Sequence, residues 1–126
     1  FLNKNIKTMI FMIQKELAEK FNYRATKMNK YKFICELCSK YEILFNVSNN
    51  VFIPKPKVKS NVVKFSLKNH KYKSNNIIKF TNKIFLNKRK KIKSKIQISN
   101  TLDNNLLNKR IEDLNFDQLL KIYKFI

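Results

Sequence analysis

One aromatic residue and three lysines share a short segment in which two prolines stand one residue apart, VFIPKPKVKS at residues 51–60. Each proline fixes φ and lacks a backbone N–H donor, so residues 52–57 are predicted to form an extended loop outside any sheet. A ring in such a loop can stack on an unpaired base while lysines hold its phosphates, which makes Phe52 with Lys55, Lys57 and Lys59 a candidate nucleic-acid-binding set. Alternatively, Phe52 fills the core where the loop rejoins a strand. The residues alone leave both interpretations open.

A second concentration of positive charge lies further along the chain, where residues 71–95 contain ten basic residues and no acidic one. Its densest part is compatible with a helix whose inner face is anchored by Ile92 and Ile96. Such a helix would lay several cations along a phosphate backbone. The candidate nucleic-acid-binding residues in it are Lys88, Arg89, Lys90, Lys91, Lys93 and Lys95. The other interpretation is a solvated surface, enriched in lysine by an AT-rich coding sequence.

The composition limits the possible functions. The 126 residues include 28 basic and 8 acidic residues, a net charge of +20, so polyanions such as nucleic acid are the expected partners. Glycine is absent, which excludes the usual glycine-rich loop that cradles a nucleotide-type cofactor. No apolar run approaches the ~20 residues of a membrane span, so no membrane partner is expected. We expect a cytoplasmic protein, with an organelle as the alternative location.

Other reactive side chains do not form a recognisable site. Cys35 and Cys38 make a CxxC pair, but zinc needs two more ligands and His70 is the single histidine. The thiols are interpreted as packing residues on a helix, and His70 as an exposed residue. The few acidic residues suggest no carboxylate pair for general acid–base chemistry. We therefore predict no metal ligand and no catalytic residue in this chain.

The order of elements predicts an α/β region followed by helices. A continuous apolar run predicts a buried strand at 6–13, then a helix at 14–21, a loop at 22–29 and a helix at 31–41. Strands at 42–47 and 61–68 are expected to pair antiparallel. A polar segment suggests three parts: residues 1–68, a linker at 69–76, and a helical domain at 77–126. Asn115 or Asp117 is expected to cap the last helix.

Several motifs occur in one order along the chain: QKELA at 14–18, ILFNV at 43–47 and FxPxPKVxSxVV at 52–63, then LNKRKK at 86–91, RxExL at 110–114 and QxxxI at 118–122. This order resembles the ribosomal RNA adenine dimethyltransferases, and LNKRKK is similar to the basic helix of that family. The resemblance covers most of the chain, and its most specific part is the proline element.

The resemblance implies a fold, an activity and partners. The fold would be the C-terminal part of a Rossmann-like methyltransferase sheet, incomplete here, followed by a small all-helical domain. The activity would be S-adenosylmethionine-dependent dimethylation of adenines in small-subunit ribosomal RNA. By this resemblance, Phe52 helps to hold a flipped-out adenine and the lysines contact the RNA. The partners would be small-subunit ribosomal RNA, or a pre-ribosomal particle, and the N-terminal part of the same enzyme.

This chain also departs from the family pattern. The glycine-rich cofactor loop, the acidic ribose-binding residue and the Asn-(Leu/Ile)-Pro-Tyr motif are not found in residues 1–126. We therefore expect an inactive segment with no catalytic or cofactor-binding residue, and a first strand whose apolar edge lacks its neighbour. Asn29 takes the place of a family glycine, where positive φ is expected.

A different class of function remains open at this point. The same scaffold resembles non-catalytic nucleic-acid-binding factors, such as the mitochondrial transcription factors related to this family. A ribosome-assembly protein, in which the basic surface alone matters, is a further alternative.

Overall fold

The computed structural model describes residues 5–25, 27–96 and 102–125, and it has an α/β fold. Three strands, β1 (Thr8–Gln14), β2 (Ser39–Val47) and β3 (Ser60–Leu67), form an antiparallel sheet in the order β1-β3-β2. The helices are α1 (Lys15–Phe21), α2 (Lys30–Cys38), α3 (Ser74–Ile84), α4 (Asn104–Leu107) and α5 (Phe116–Phe125). Short 3-10 turns lie at Asn49–Val51, Ile92–Ser94 and Ile111–Asp113.

The described residues divide into two compact units. The first contains residues 5–25 and 34–71, and therefore the sheet and α1. The second contains residues 27–33 and the described residues from 72 onward, so α2 contributes residues to both units. No helix in the described part of the chain has the length and apolar character needed to cross a membrane.

The core of the first unit lies between the sheet and the helices. Buried positions alternate along β3, where Asn61, Val63 and Phe65 share one face. The ring of Phe65 lies 5.2 Å from that of Phe21 and 5.1 Å from that of Tyr41. Strand β3 therefore carries the centre of this core, as expected for the central strand of a three-stranded sheet.

Strand β1 corrects the expectation of a buried strand at residues 6–13. In the described sheet, one edge of β1 pairs with β3, with Phe11 opposite Val63, and the other edge has no paired strand. Ile10, Phe11 and Met12 are 58%, 49% and 53% exposed. A continuous apolar run predicts burial on both faces, and the described residues cover this strand only partly.

The boundary between α2 and β2 also differs from the predicted helix at 31–41. The helix ends at Cys38 and β2 begins at Ser39, without an intervening loop. The buried Ser39 hydroxyl donates to the Cys35 carbonyl oxygen at 3.0 Å and so satisfies an acceptor of the last turn. Tyr41 continues the helical spacing of apolar residues, which is why the sequence predicts a longer helix. It lies in β2 instead, and its ring contacts that of Phe65 in the core.

Asn29 does not have the positive φ expected at a family glycine, because Asn87 is the single non-glycine residue with positive φ in the described chain. Instead, the Asn29 side chain accepts a hydrogen bond from the Lys32 backbone N–H at 2.9 Å. The residue therefore caps the start of α2.

The second unit is built around aromatic side chains. The ring of Phe33 lies 5.8 Å from that of Phe80 and 5.7 Å from that of Phe116. Its last helix begins with a reciprocal cap, in which Asn115 accepts from the Gln118 N–H at 2.8 Å and Gln118 accepts from the Asn115 N–H at 3.1 Å. Asn115 is therefore the cap of α5, as one of the two sequence alternatives predicted.

Candidate nucleic-acid interface

The proline segment is a loop, as its sequence predicts. Residues 52–59 contain no helix and no strand. Ser48 caps the short turn before the loop by accepting from the Asn50 N–H at 3.3 Å. The Asn49 amide donates to the Pro56 carbonyl oxygen at 3.3 Å, and the Lys15 N–H donates to the Lys59 carbonyl oxygen at 2.9 Å. These hydrogen bonds hold the beginning, middle and end of the loop.

Phe52 lies at the start of this loop and is half-buried. It is not among the buried core residues, so a ring sealed in the interior is not what the structure shows. Lys55, Lys57 and Lys59 are exposed on the same loop, and Ile53 is fully exposed near its tip. The structure thus places one partly accessible ring and three solvated cations on one loop; stacking on a base stays a prediction.

The second basic segment is not the predicted helix. Helix α3 ends at Ile84, and the chain then turns at Asn87, whose φ of 52° is left-handed. The Lys90 N–H donates to the Asn87 carbonyl oxygen at 2.9 Å, which closes the turn. Lys91 then forms an antiparallel bridge with Arg110. A residue with left-handed φ cannot continue a right-handed helix. The bridge to Arg110 then gives the backbone of Lys91 a hydrogen-bond partner outside any helix.

The cations of this segment are presented from turns, and not from one helical face. Ile92 and Ile96 are buried, as the sequence predicts, and anchor the segment. The exposed cations are Lys88, Arg89, Lys90, Lys91 and Lys93. A cluster of this kind suits phosphate contacts without a fixed sequence preference.

Lys95 differs from its neighbours. Its Nζ donates to the Ile84 carbonyl oxygen at 2.8 Å, at the C-terminal end of α3. Burial, and to a smaller extent the nearby charge of Lys90, lower the pKa of Lys95. One donor of this ammonium group is therefore used within the protein, so Lys95 is the least available of the predicted RNA-binding cations.

The two cysteines are packing residues. Cys35 and Cys38 are buried on α2, and Cys35 packs in the core with Ala18, Val63 and Phe65. Burial raises the pKa of Cys38 to about 11, so its thiol is protonated at neutral pH and is a poor nucleophile. Within residues 5–25, 27–96 and 102–125, no group of three or more His, Cys, Asp or Glu side chains is placed to hold a metal ion. His70 is half-buried, whereas the sequence analysis expected an exposed residue.

Two aromatic residues of the second unit were not predicted from the sequence as candidate binding residues. Tyr72 and Tyr123 are half-buried beside a cavity of about 540 Å³ that lysines also line. A signal was present for Tyr72, since Lys71 and Lys73 flank it in the aromatic–cation pattern that marked Phe52. Tyr123 is 51 residues away from Tyr72 in sequence, and no local pattern joins the two.

Comparison with known proteins gives a consistent result over the whole chain. The sequence model described as "Ribosomal RNA adenine dimethylase" matches residues 1–126. A "Ribosomal RNA small subunit methyltransferase A" from Ureaplasma urealyticum is 34% identical over 123 residues, which is 94% of this chain and 43% of that protein. A protein of the same name from Natranaerobius thermophilus is 31% identical over 139 residues, 96% of this chain and 46% of that protein.

The fold is also similar to that of solved methyltransferase structures. A dimethyladenosine transferase from Plasmodium falciparum superposes with a TM-score of 0.67 at 19% identity, covering 93% of this chain and 56% of that one. The 23S rRNA methyltransferase ErmE superposes with a TM-score of 0.68 at 13% identity, covering 96% and 55%. The chain thus spans a little under half the length of the two curated relatives described above and a little over half the length of these structures.

Proposed function

This chain belongs to the ribosomal RNA adenine dimethylase family, and from that membership we propose that the whole protein transfers methyl groups to adenines of small-subunit ribosomal RNA. The observation that carries the proposal is the match along all 126 residues together with an accessible proline loop that bears Phe52. The curated relatives described above are named as methyltransferases, which disfavours the non-catalytic alternative.

Within that function, this segment supplies the grip on the RNA. The half-buried ring of Phe52 stacks against an adenine that has left its helix, because a flipped base needs a flat apolar surface in place of its lost neighbours. Lys55, Lys57 and Lys59 are exposed on the same loop and hold the phosphates beside that base. The exposed cations at 88–93, in the second unit, bind further phosphates of the RNA.

The methyl donor of this activity is S-adenosylmethionine, and the residues described here do not fit it. A cofactor of this kind needs backbone N–H groups and a close approach of the chain, which glycine usually provides. The chain has no glycine, and Asn87 is the single positive-φ residue of its described part. We therefore infer that donor binding and the catalytic Asn-x-Pro-Tyr motif belong to other residues of the whole protein, and that this segment alone is inactive.

The edge of β1 is where the rest of the protein would join the sheet. Ile10 and Met12 are exposed on one face of this strand, and its second edge has no paired strand in the described residues. A further strand along this edge would satisfy its backbone groups and cover these side chains. This would extend the three-stranded sheet into the Rossmann-like sheet, with the N-terminal part of the enzyme as the partner.

The test is a methylation assay on the protein extended by its upstream coding region. Purified small ribosomal subunits that lack the adenine methyl groups are incubated with the protein and methyl-labelled S-adenosylmethionine. We expect label in adenines of the small-subunit RNA, and the absence of label would contradict the proposed function.

The role of Phe52 is tested with a matched pair of variants in the same assay. Phe52→Ala is expected to reduce methylation at least tenfold, with RNA affinity within about twofold of the wild type, since stacking on one base is lost and phosphate contacts remain. Val51→Ala, at the exposed preceding residue, is the control and should keep activity. Unfolding of Phe52→Ala, seen by circular dichroism, would support the core-filling role and contradict stacking.

A further inference from the structure

A cavity of about 540 Å³ lies within the second unit, between α3, α5 and the residues that precede α3. Its volume is in the range of about 300–1,000 Å³ found for small-molecule sites, enough for one nucleotide. The side chains that matter for its chemistry are Tyr72, Lys79, Phe80, Lys83, Tyr123 and Lys124.

Three aromatic rings form one side of this cavity. The rings of Tyr72 and Tyr123 lie 5.4 Å apart with an interplanar angle of 64°, and those of Phe80 and Tyr123 lie 5.0 Å apart at 62°. The ring of Tyr123 also lies 6.5 Å from that of Phe33, at an interplanar angle of 71°. Phe80 is buried, whereas Tyr72 and Tyr123 are half-buried and line the cavity. A flat apolar ligand thus has tyrosine surface to contact.

Three lysines surround the rings. Lys79 and Lys83 are one helical turn apart on α3, and Lys124 lies in the last turn of α5. All three are exposed, and none takes part in an ion pair among the described residues. Among the described residues, none that lines the cavity is acidic. A ligand that enters it therefore meets uncompensated positive charge next to aromatic surface.

We propose that this cavity holds one unpaired nucleotide of the bound RNA, distinct from the adenine held by the proline loop. The base would contact Tyr72 and Tyr123, and the neighbouring phosphates would pair with Lys79, Lys83 and Lys124. An apolar peptide would not use the lysines, and a duplex phosphate backbone would not use the rings, so the combination selects a splayed nucleotide. That the ligand is RNA rests on the proposed function.

The experiment measures equilibrium binding of the 126-residue chain to two RNA hairpins. Both have the same short loop, whose nucleotides are stacked and not splayed, and one of them carries an additional bulged adenosine in its stem. The wild type is expected to bind the bulged hairpin about tenfold more tightly, an effect within the range of one base–aromatic stack. Tyr72→Leu should reduce this preference to less than about twofold and leave the affinity for the perfect hairpin unchanged. Tyr72→Phe keeps the ring and should keep the preference.

Matched charge variants test the lysines. The triple variant Lys79→Gln, Lys83→Gln, Lys124→Gln should lose the preference for the bulge. The control triple variant Lys71→Gln, Lys109→Gln, Lys121→Gln removes the same charge from exposed residues that do not line the cavity, and should keep it. Circular dichroism melting of each variant shows which of them are folded.

Equal wild-type affinity for the two hairpins would overturn the cavity proposal, and so would a preference that survives in folded Tyr72→Leu. Both outcomes leave the proposed methylation activity intact, because RNA is still bound. Failure of the wild type to bind either hairpin would instead contradict both proposals.

Discussion

The hydroxyl of Tyr41 donates a hydrogen bond of 2.7 Å to the carbonyl oxygen of Ala18. This bond joins β2 to α1 across the core of the first unit, beside the rings of Phe21 and Phe65, which meet edge to face at 82°. Ala18 is fully buried, so its carbonyl oxygen has little access to water. The Tyr41 hydroxyl thus satisfies an acceptor near the end of a seven-residue helix.

Removal of this hydroxyl should destabilise the protein. Tyr41→Phe leaves the Ala18 carbonyl oxygen without its tyrosine donor, and we expect the free energy of unfolding to fall by about 1 kcal/mol. Urea denaturation followed by circular dichroism measures the change. Tyr23→Phe, at a residue that is 60% exposed, is the control and should change the free energy by less than about 0.5 kcal/mol. A Tyr41→Phe protein as stable as the wild type would show that water replaces the bond.

Alkaline pH should weaken the contribution of Tyr41. Burial raises the pKa of Tyr41 to about 12, whereas an unfolded tyrosine has a pKa of about 10. Between these values the unfolded chain releases a proton that the folded chain keeps, so the stabilisation present below pH ~10 decreases as the pH rises to ~12. The difference in free energy of unfolding between wild type and Tyr41→Phe should therefore be smaller at pH 11.5 than at pH 9. A constant difference would contradict the shifted pKa.

The exposed edge of β1 should make the isolated chain prone to self-association. Met12→Lys places a charge on this strand, and lysine on an edge strand opposes pairing with another chain. We expect a higher concentration threshold for aggregation, measured by light scattering, with an unchanged circular dichroism spectrum. Leu86→Lys adds the same charge at a residue that is 66% exposed outside the sheet and should have little effect. Equal suppression by both variants would indicate a general charge effect.

Lys93 and Lys95 should separate RNA binding from stability, although they are two residues apart. Lys93→Gln removes an exposed cation, so the slope of log affinity against log salt should decrease by about 0.7–0.9 if it contacts one phosphate, with stability unchanged. Lys95→Gln removes the donor to the Ile84 carbonyl oxygen and should lower the free energy of unfolding by about 1 kcal/mol. Titrations between ~50 and ~200 mM salt, with urea denaturation, measure both effects. A reversed pattern would contradict the assignment of Lys95 as mainly structural.

Asn87 should be the residue most sensitive to a change of backbone preference. Its φ of 52° costs a non-glycine residue about 1 kcal/mol, and asparagine tolerates it better than alanine does. Asn87→Ala is therefore expected to be destabilising, and Asn87→Gly neutral or stabilising, in urea denaturation. A Gly variant less stable than the Ala variant would show that the side chain, and not φ, determines the residue here.

The local structure of this chain could be predicted from the sequence where it depends on residues that are close together in the chain. The prolines at 54 and 56 predicted the loop, and the antiparallel pair of β2 and β3 was expected from two strand-like runs joined by that loop. The extra helical residues predicted up to Tyr41 and the predicted basic helix failed for one reason. In both places the apolar spacing suits a helix, but contacts with distant residues determine the backbone, namely Phe65 for Tyr41 and Arg110 for Lys91.

Only part of the candidate interface could be predicted from the sequence. Phe52 and its lysines are neighbours in sequence, so their common loop could be predicted. Tyr72 and Tyr123 come together beside the cavity through the packing of the second unit. The special position of Lys95 depends on the end of α3, which lies eleven residues earlier. Neither could be predicted without the fold.

The strand order also dictates a sequence of events during synthesis. Strands β1 and β2 each pair with β3, and not with each other, in the described sheet. The ribosome makes a chain from its first residue to its last, at about 5–20 residues per second. Both outer strands therefore exist for a time before their common partner does. No hydrogen bond between β3 and either outer strand can form until Ser60 and the residues after it have been translated, and the apolar strand β1 waits longer for β3 than β2 does.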